Sequence, residues 1–238
     1  MRKLLPLIGI FLFACNSHQE NTIVKQLDEY LHGQEKYFRF NGNVLIAEKG
    51  KVIYQHSFGL ADFDTDRPLN DSSVFELASV SKQFTATAIL LLKDKGKLKL
   101  TDSLRQYFPE LPYSNITIWH MLTHTSGLPD YFWELINSWD TSKIAFNKDM
   151  IALLAKKKLP AVFEPGRKWE YSNTAYAILA SIVEKISGQT YKDYMAENIF
   201  QPLGMSHTRV YNTRRSLKTT NRVLGSLSGR IYLFNESL

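Results

Sequence analysis

The sequence predicts an α+β protein in which one β-hairpin near the start is followed by a predominantly helical block. Three observations predict it. Two β-prone runs, residues 43–47 and 51–56, flank Glu48-Lys49-Gly50, the composition of a hairpin turn. Downstream, apolar residues recur at helical rather than alternating spacing, most clearly Ala175, Ile178, Leu179, Ile182, Val183 and Ile186. Glycines stand where such helices should stop, at Gly96 and Gly188. With 44% hydrophobic and 22% charged residues, a chain of 238 residues can bury one sizeable core, or form two lobes that share a site.

The N-terminus carries its own signal. Arg2-Lys3 precedes an apolar run over residues 4–14, which ends in Leu12-Phe13-Ala14-Cys15. The run is too short to span a bilayer, but a charged start and an apolar middle are the marks of an export signal. A small residue directly before a lone cysteine resembles the lipobox of bacterial lipoproteins, in which Cys15 is lipidated and becomes the mature N-terminus. The alternative is an ordinary cleaved signal that ends at a cysteine by chance. The expected organisation is a lipoprotein-type signal over 1–15, a polar tether over 16–21 and one domain over 22–238. The expected location is the periplasmic or cell-surface face of a bacterial membrane, with the anchor at Cys15. Because the chain has a single cysteine, no internal disulfide can support the fold.

In chain order, Ile23, Val24, Leu27, Tyr30 and Leu31 give an amphipathic helix to about Tyr37, followed by the hairpin. Residues 64–73 read as a polar, proline-containing loop, and 84–95 as an Ala-, Ile- and Leu-rich helix stopped by Gly96. Leu98 and Leu100 alternate with lysines, which predicts a short extended piece. Thr117 caps a short helix carrying Ile118, Trp119, Met121 and Leu122. Glu164-Pro165-Gly166 is a turn, residues 174–186 form the apolar-striped helix, and Thr190 caps another helix reaching about Ile199. A last strand is expected at 230–234.

Charge excludes one class of partner. The net charge is +6, of which Arg2 and Lys3 contribute two, and the remaining cations are scattered. The dense cluster Lys156-Lys157-Lys158 reads as a solvated helix end, so no nucleic-acid module is expected. His120 and His124 share a helical face, but no Glu follows His120 and no third ligand is in view. No metal site is expected, and structural hydrogen bonds are the reading for both. Tyr131, Phe132, Trp133 and Trp139 either line a cleft or pack a core.

The chemistry-bearing stretch is Ala78-Ser79-Val80-Ser81-Lys82. Three residues apart on a helix, Ser79 and Lys82 lie on one face and their side chains can meet. A serine hydroxyl is a weak nucleophile until an adjacent group takes its proton, and a desolvated lysine can do so. Alone, the same pair also reads as a helix cap beside a solvated lysine.

Its companions give it context. Leu122-Thr123-His124-Thr125-Ser126-Gly127-Leu128, Pro165-Gly166, Tyr171-Ser172-Asn173 and Ile199-Phe200-Gln201-Pro202-Leu203-Gly204-Met205 follow in order. Together with Ser79-x-x-Lys82 this resembles the serine β-lactamase and penicillin-binding-protein family, in its class C β-lactamase-like branch of esterases and D-amino-acid peptidases. The resemblance runs from about Gly42 to Thr208. It implies a β-lactamase-like fold, an antiparallel sheet flanked by helices plus a mostly helical subdomain. It also implies a serine hydrolase that forms an acyl-enzyme on a β-lactam, a D-amino-acid peptide or an ester, with no cofactor. By the same resemblance Ser79 is the acylated nucleophile, Lys82 its proton-transfer partner, Tyr171 a further acid or base, and Asn173 the residue that orients the substrate amide. The alternative for Tyr171 and Asn173 is a helix-opening turn with Asn173 as N-cap.

One family element has no counterpart. Lys218-Thr219-Thr220 lacks the glycine of the Lys/His-Thr/Ser-Gly element, and Ser228-Gly229-Arg230 lacks the preceding cation. The family's later sheet strands are not found either, so the chain reads as the N-terminal part of a longer hydrolase. The competing expectation is a non-catalytic binding or scaffold lipoprotein, or an inactive fragment. The expected partners are a small-molecule or peptide substrate and, through the anchor, a membrane.

Overall fold

In the computed structural model of the chain, Lys49 and Gly50 both take positive φ, 49° and 79°. That is the backbone of a two-residue turn whose twist matches the strands it joins. The turn connects β1 (Gly42–Glu48) to β2 (Lys51–Phe58) in an antiparallel pair with an irregularity between Ile46 and Ala47. The structure describes residues 14–37, 39–132, 139–140, 143–211 and 221–224, without the side chains of 14–21. The chain divides into two compact units, Met1–Glu76 with Leu217–Phe234, and Leu77–Ser216 with Asn235–Leu238.

In the first unit, helix α1 (Ala14–Lys36) precedes the hairpin. Residues 16–21, expected as a tether, are helical: although polar, they contain no proline or glycine to stop the helix. Residues 1–13, and with them most of the expected signal, lie outside the described residues, as does the side chain of Cys15. Leu31 packs with Tyr54 and Phe58 of β2, and Val24, Leu27, Val44 and Ile46 close around them. The opposite face of the hairpin carries Leu45 and Val52, both exposed. The loop after the hairpin holds a second ribbon that the sequence did not predict, β3 (Leu60–Asp62) with β4 (Arg67–Pro68). Pro68 fits because a two-residue strand makes few ladder bonds for it to break. Among the described residues these are the two sheets, each of two strands.

The second unit is helical. A 3₁₀ turn (Ala78–Ser81) leads into α2 (Lys82–Asp94), which ends at Lys95 and Gly96, the glycine at φ 68°. Helix α3 (Leu104–Tyr107) and helix α4 (Ile118–Leu122) are short and have capping boxes at Ser103 and Thr117. Between α2 and α3, Leu98 and Leu100 form no strand. The Lys99 N–H instead bonds the Asp102 carboxylate and the Asp102 N–H bonds back to the Lys99 carbonyl, which closes a turn. Helix α5 (Asn147–Lys157) ends in the expected solvated lysines, with Lys158 left-handed. Helix α6 (Asn173–Ser187) buries Ala175, Ile178, Leu179, Ile182 and Val183, as its stripe requires, and stops at Gly188 with φ 72°. Helix α7 (Tyr191–Met195) continues into a π-type turn, Ala196–Phe200. Leu104, Leu111, Ile116, Ile118, Met121 and Leu154 join α6 in one apolar core. The α+β expectation holds. The strand expected at 230–234 lies outside the described residues.

Candidate active site

Residues from three segments of the helical unit meet at Ser79. The first is the turn that carries it. Ala78, directly before Ser79, takes φ 46°, a region that a residue with a Cβ adopts at a cost. The sharp turn leaves Ser79 exposed while the backbone enters α2. Among the described residues the Ser79 N–H has no hydrogen-bond acceptor.

Lys82 opens α2 one turn later, on the same face as Ser79. Its Nζ donates to Ser79 Oγ at 3.1 Å and to Asn173 Oδ1 at 2.8 Å. The ammonium also lies 4.8 Å from the ring centroid of Tyr171 and 5.7 Å from that of Tyr176, within cation–π range. The lysine is therefore held by an amide oxygen, a hydroxyl and two aromatic faces. Among the described residues no carboxylate pairs with it.

The third segment is Tyr171-Ser172-Asn173. Ser172, buried and extended at φ −132°, is the N-cap of α6, its hydroxyl accepting the Ala175 N–H at 3.1 Å. The alternative expectation, with Asn173 as that cap, is corrected here. Ser172 does the capping, and Asn173 is the first helical residue, with its side chain free to turn toward Lys82. Its Nδ2 has no acceptor among the described residues. Tyr171 lies just before the cap, half exposed, and its hydroxyl donates to Ser79 Oγ at 2.6 Å. Ser79, Lys82, Tyr171 and Asn173 thus form one connected hydrogen-bonded cluster.

The loop after α4 supports that cluster. Gly127 takes φ 70°, and a Cβ there would come 2.2 Å from the Phe163 carbonyl oxygen, so only glycine fits this close approach. The Val162 N–H bonds to the Gly127 carbonyl, and the Gly166 N–H to the Thr125 carbonyl. A small hollow lined by Leu128, Asp130, Val162, Phe163 and Ser172 opens beside Tyr171. Tyr131 N–H and the Pro129 carbonyl both bond Thr174 Oγ1, tying the loop to α6.

Two residues near the cluster were not singled out for it by sequence. Tyr176 packs under Lys82 and donates to the Leu122 carbonyl at 3.0 Å. Burial, and secondarily Tyr171, holds its pKa above the usual tyrosine value. Its signal was available, because Asn173 and Tyr176 are three apart at the start of a helix and share a face. The other is His124, read as structural. Like His120, whose Nδ1 accepts the Thr117 N–H at 3.2 Å, it uses Nδ1 to accept a backbone N–H, here that of Ser172. Among the described residues no group of three His, Cys, Asp or Glu side chains converges to hold a metal ion. No described helix is long and apolar enough to cross a membrane.

Comparison with known proteins reaches the same region. A family model described as Beta-lactamase matches residues 24–225. Over 178 residues the chain is 50% identical to penicillin-binding protein 4* of Bacillus subtilis (strain 168), covering 75% of this chain and 40% of that protein. The solved structure of a penicillin binding protein from Bacillus halodurans matches with a TM-score of 0.71 at 30% identity, over 82% of this chain and 61% of that one. A D-amino acid amidase from Ochrobactrum anthropi SV3, solved with L-phenylalanine, matches with a TM-score of 0.63 at 29% identity, over 77% and 49%. The chain spans less than half the length of the curated relatives it matches, 40% of the first and 43% of a second.

Proposed function

Because the chain belongs to the beta-lactamase family, we propose that Ser79 is the nucleophile of an acyl-transfer hydrolase, with Lys82 and Tyr171 moving its proton. One observation carries this reading. Ser79 Oγ lies within hydrogen-bond reach of both the Lys82 ammonium and the Tyr171 hydroxyl, at 3.1 and 2.6 Å. In the proposed reaction the Tyr171–Lys82 pair first releases one proton to solvent, leaving a Lys82 amine or a Tyr171 phenolate as the base. Oγ then attacks a carbonyl carbon, and the proton lost by Ser79 passes to that base as the O–C bond forms. The pair then delivers that proton to the departing nitrogen or oxygen as its bond to the carbonyl breaks. Water attacks the acyl-enzyme and loses a proton to the same pair, which returns it to Oγ as the bond between Oγ and the acyl carbon breaks and Ser79 is regenerated. The unclaimed Ser79 N–H is available to the developing oxyanion, and the Asn173 Nδ2 to a substrate carbonyl.

The proposed substrates share a carbonyl that serine can acylate: a β-lactam, a D-amino-acid peptide or an ester. Relatives named as a penicillin-binding protein and a D-amino acid amidase support the first two. A binding protein that keeps the fold without turnover is the competing reading, and the observation behind it is that Lys218-Thr219-Thr220 lacks the family's glycine. Intact-mass spectrometry after exposure to a fluorophosphonate, and separately to a penicillin, tests the choice. A stoichiometric adduct that disappears in Ser79→Ala is expected. A folded chain that takes up neither reagent would favour the binding protein.

We further propose export and lipid anchoring at Cys15, supported by Arg2-Lys3, the apolar run over 4–14 and Ala14 before the cysteine. Cys15→Ser should then move the protein from the membrane fraction to the soluble one. An unchanged partition would count against the anchor.

A further inference from the structure

His124 meets the reacting cluster without touching Ser79. Its backbone is left-handed at φ 57°, a strained choice for a residue with an aromatic side chain. The strain is held from both sides of the loop. The His124 N–H bonds the Met121 carbonyl, and the His124 carbonyl accepts the Glu170 N–H at 2.9 Å. Side-chain Nδ1 accepts the Ser172 N–H at 3.1 Å, so the ring is neutral and carries its proton on Nε2. The ring lies 4.7 Å from that of Tyr171, tilted by 32°, and 5.0 Å from that of Tyr176, tilted by 34°. Trp169 closes an edge at 6.0 Å. One imidazole therefore grips the middle residue of Tyr171-Ser172-Asn173 and backs the ring of its first.

We propose that His124 is a positioning residue for Tyr171: its neutral imidazole holds the phenol against Ser79, and protonation releases that hold, which sets an acid-side limit on acylation. The inference rests on the reading of Ser79 as the acylated nucleophile. A proton added at Nδ1 turns the acceptor into a donor facing the Ser172 N–H, and two donors cannot share one bond. It also places a second cation beside Lys82. The titratable groups that face His124 are Lys82 from α2, Tyr171 from the loop before α6 and Tyr176 from α6 itself. Glu170 next to Tyr171 directs its carboxylate to Lys168 at 2.7 Å. Burial first, and then the charge of Lys82, hold His124 below the usual histidine range. The folded state thus favours the neutral ring. Its contribution is complete above about pH 6.5, the value for an unperturbed histidine, and is lost as the pH falls below that toward the folded value.

Asparagine separates positioning from bulk. It tolerates the left-handed backbone, and its Oδ1 can accept the Ser172 N–H, yet it does not titrate. Glycine relieves the backbone but supplies neither acceptor nor ring. The test is the rate of fluorophosphonate labelling between about pH 5 and 8 for the natural chain, His124→Asn and His124→Gly. It is paired with an NMR titration of the His124 imidazole and the Ser172 amide in the full chain. His124→Gly should slow labelling by about 10- to 100-fold, the cost of a misplaced reacting group. His124→Asn should stay within about tenfold of the natural chain and lose its acid-side fall. The Ser172 amide resonance should move in step with imidazole protonation. An unchanged acid-side fall in His124→Asn, or full-speed labelling in His124→Gly, would overturn the proposal. If the natural chain takes no label at all, the nucleophile reading fails. The grip on Ser172 is then judged by the titration alone, and an amide resonance that ignores imidazole protonation would sink it.

Discussion

The hairpin unit and the helical unit spend their apolar residues differently. In the first, Leu31, Tyr54 and Phe58 form a small buried cluster under one face of a two-stranded ribbon, while Leu45 and Val52 stand exposed on the other. In the second, α6 is buried on nearly every side, and Ile178, Leu179, Ile182 and Val183 have no exposed surface. All four residues of the proposed site belong to the second unit, two of them at or just before the N-terminus of its most buried helix. The difference teaches where precision comes from. A hydroxyl can be kept within 3.1 Å of both an ammonium and a phenol only on elements whose own rotamers are locked by packing. The strained Ala78 and His124 backbones need the same rigid surroundings to persist.

The largest effect expected from this contrast is on stability. Leu179→Ala removes a fully buried side chain from α6 and should cost about 2–5 kcal/mol, the range for such core truncations. Leu45→Ala, on the exposed face of β1, should stay within about 0.5 kcal/mol of the natural chain. Urea unfolding midpoints of the two variants measure the difference. Equal shifts would mean that the hairpin face depends on packing as heavily as the helix does, and the contrast between the units would fall.

The contrast also explains what could be read from sequence. Helix α6 was legible because burial on a 3.6-residue period writes itself into the chain, and so were its stop at Gly188 and the cap at Thr117. Ser79 and Lys82 were legible as a pair because i and i+3 on a helix must meet. Tyr171 and Asn173 lie about ninety residues away, and no local rule brings them there; only their order within a known family did. His124 carried no local signal at all. Its role comes from a left-handed backbone that turns the ring toward Ser172, and a side chain that can accept such a bond looks like any other histidine in sequence. Near-misses followed from local competition. Asn173 and Ser172 are both good N-caps, and packing chose the serine. Leu98 and Leu100 alternate as a strand would, but Asp102 captured the Lys99 N–H and closed a turn instead.

The smallest expected effect separates stability from chemistry. Tyr54 in β2 donates its hydroxyl to Asp28 of α1 at 2.8 Å, fastening the helix to the hairpin. Tyr54→Phe keeps the ring in the Leu31 and Phe58 cluster and removes only that bond. Asp28 is partly exposed and can turn to water, so no buried charge is left unpaired. The loss should be about 0.5–1.5 kcal/mol, the net worth of one hydrogen bond. Because the hairpin unit contributes none of Ser79, Lys82, Tyr171 or Asn173, the rate of fluorophosphonate labelling should not change. Thermal unfolding and labelling kinetics on the same preparation measure both quantities. A labelling rate that fell in proportion to stability would show that the geometry at Ser79 depends on the hairpin's integrity, and the chemistry could no longer be assigned to the helical unit alone.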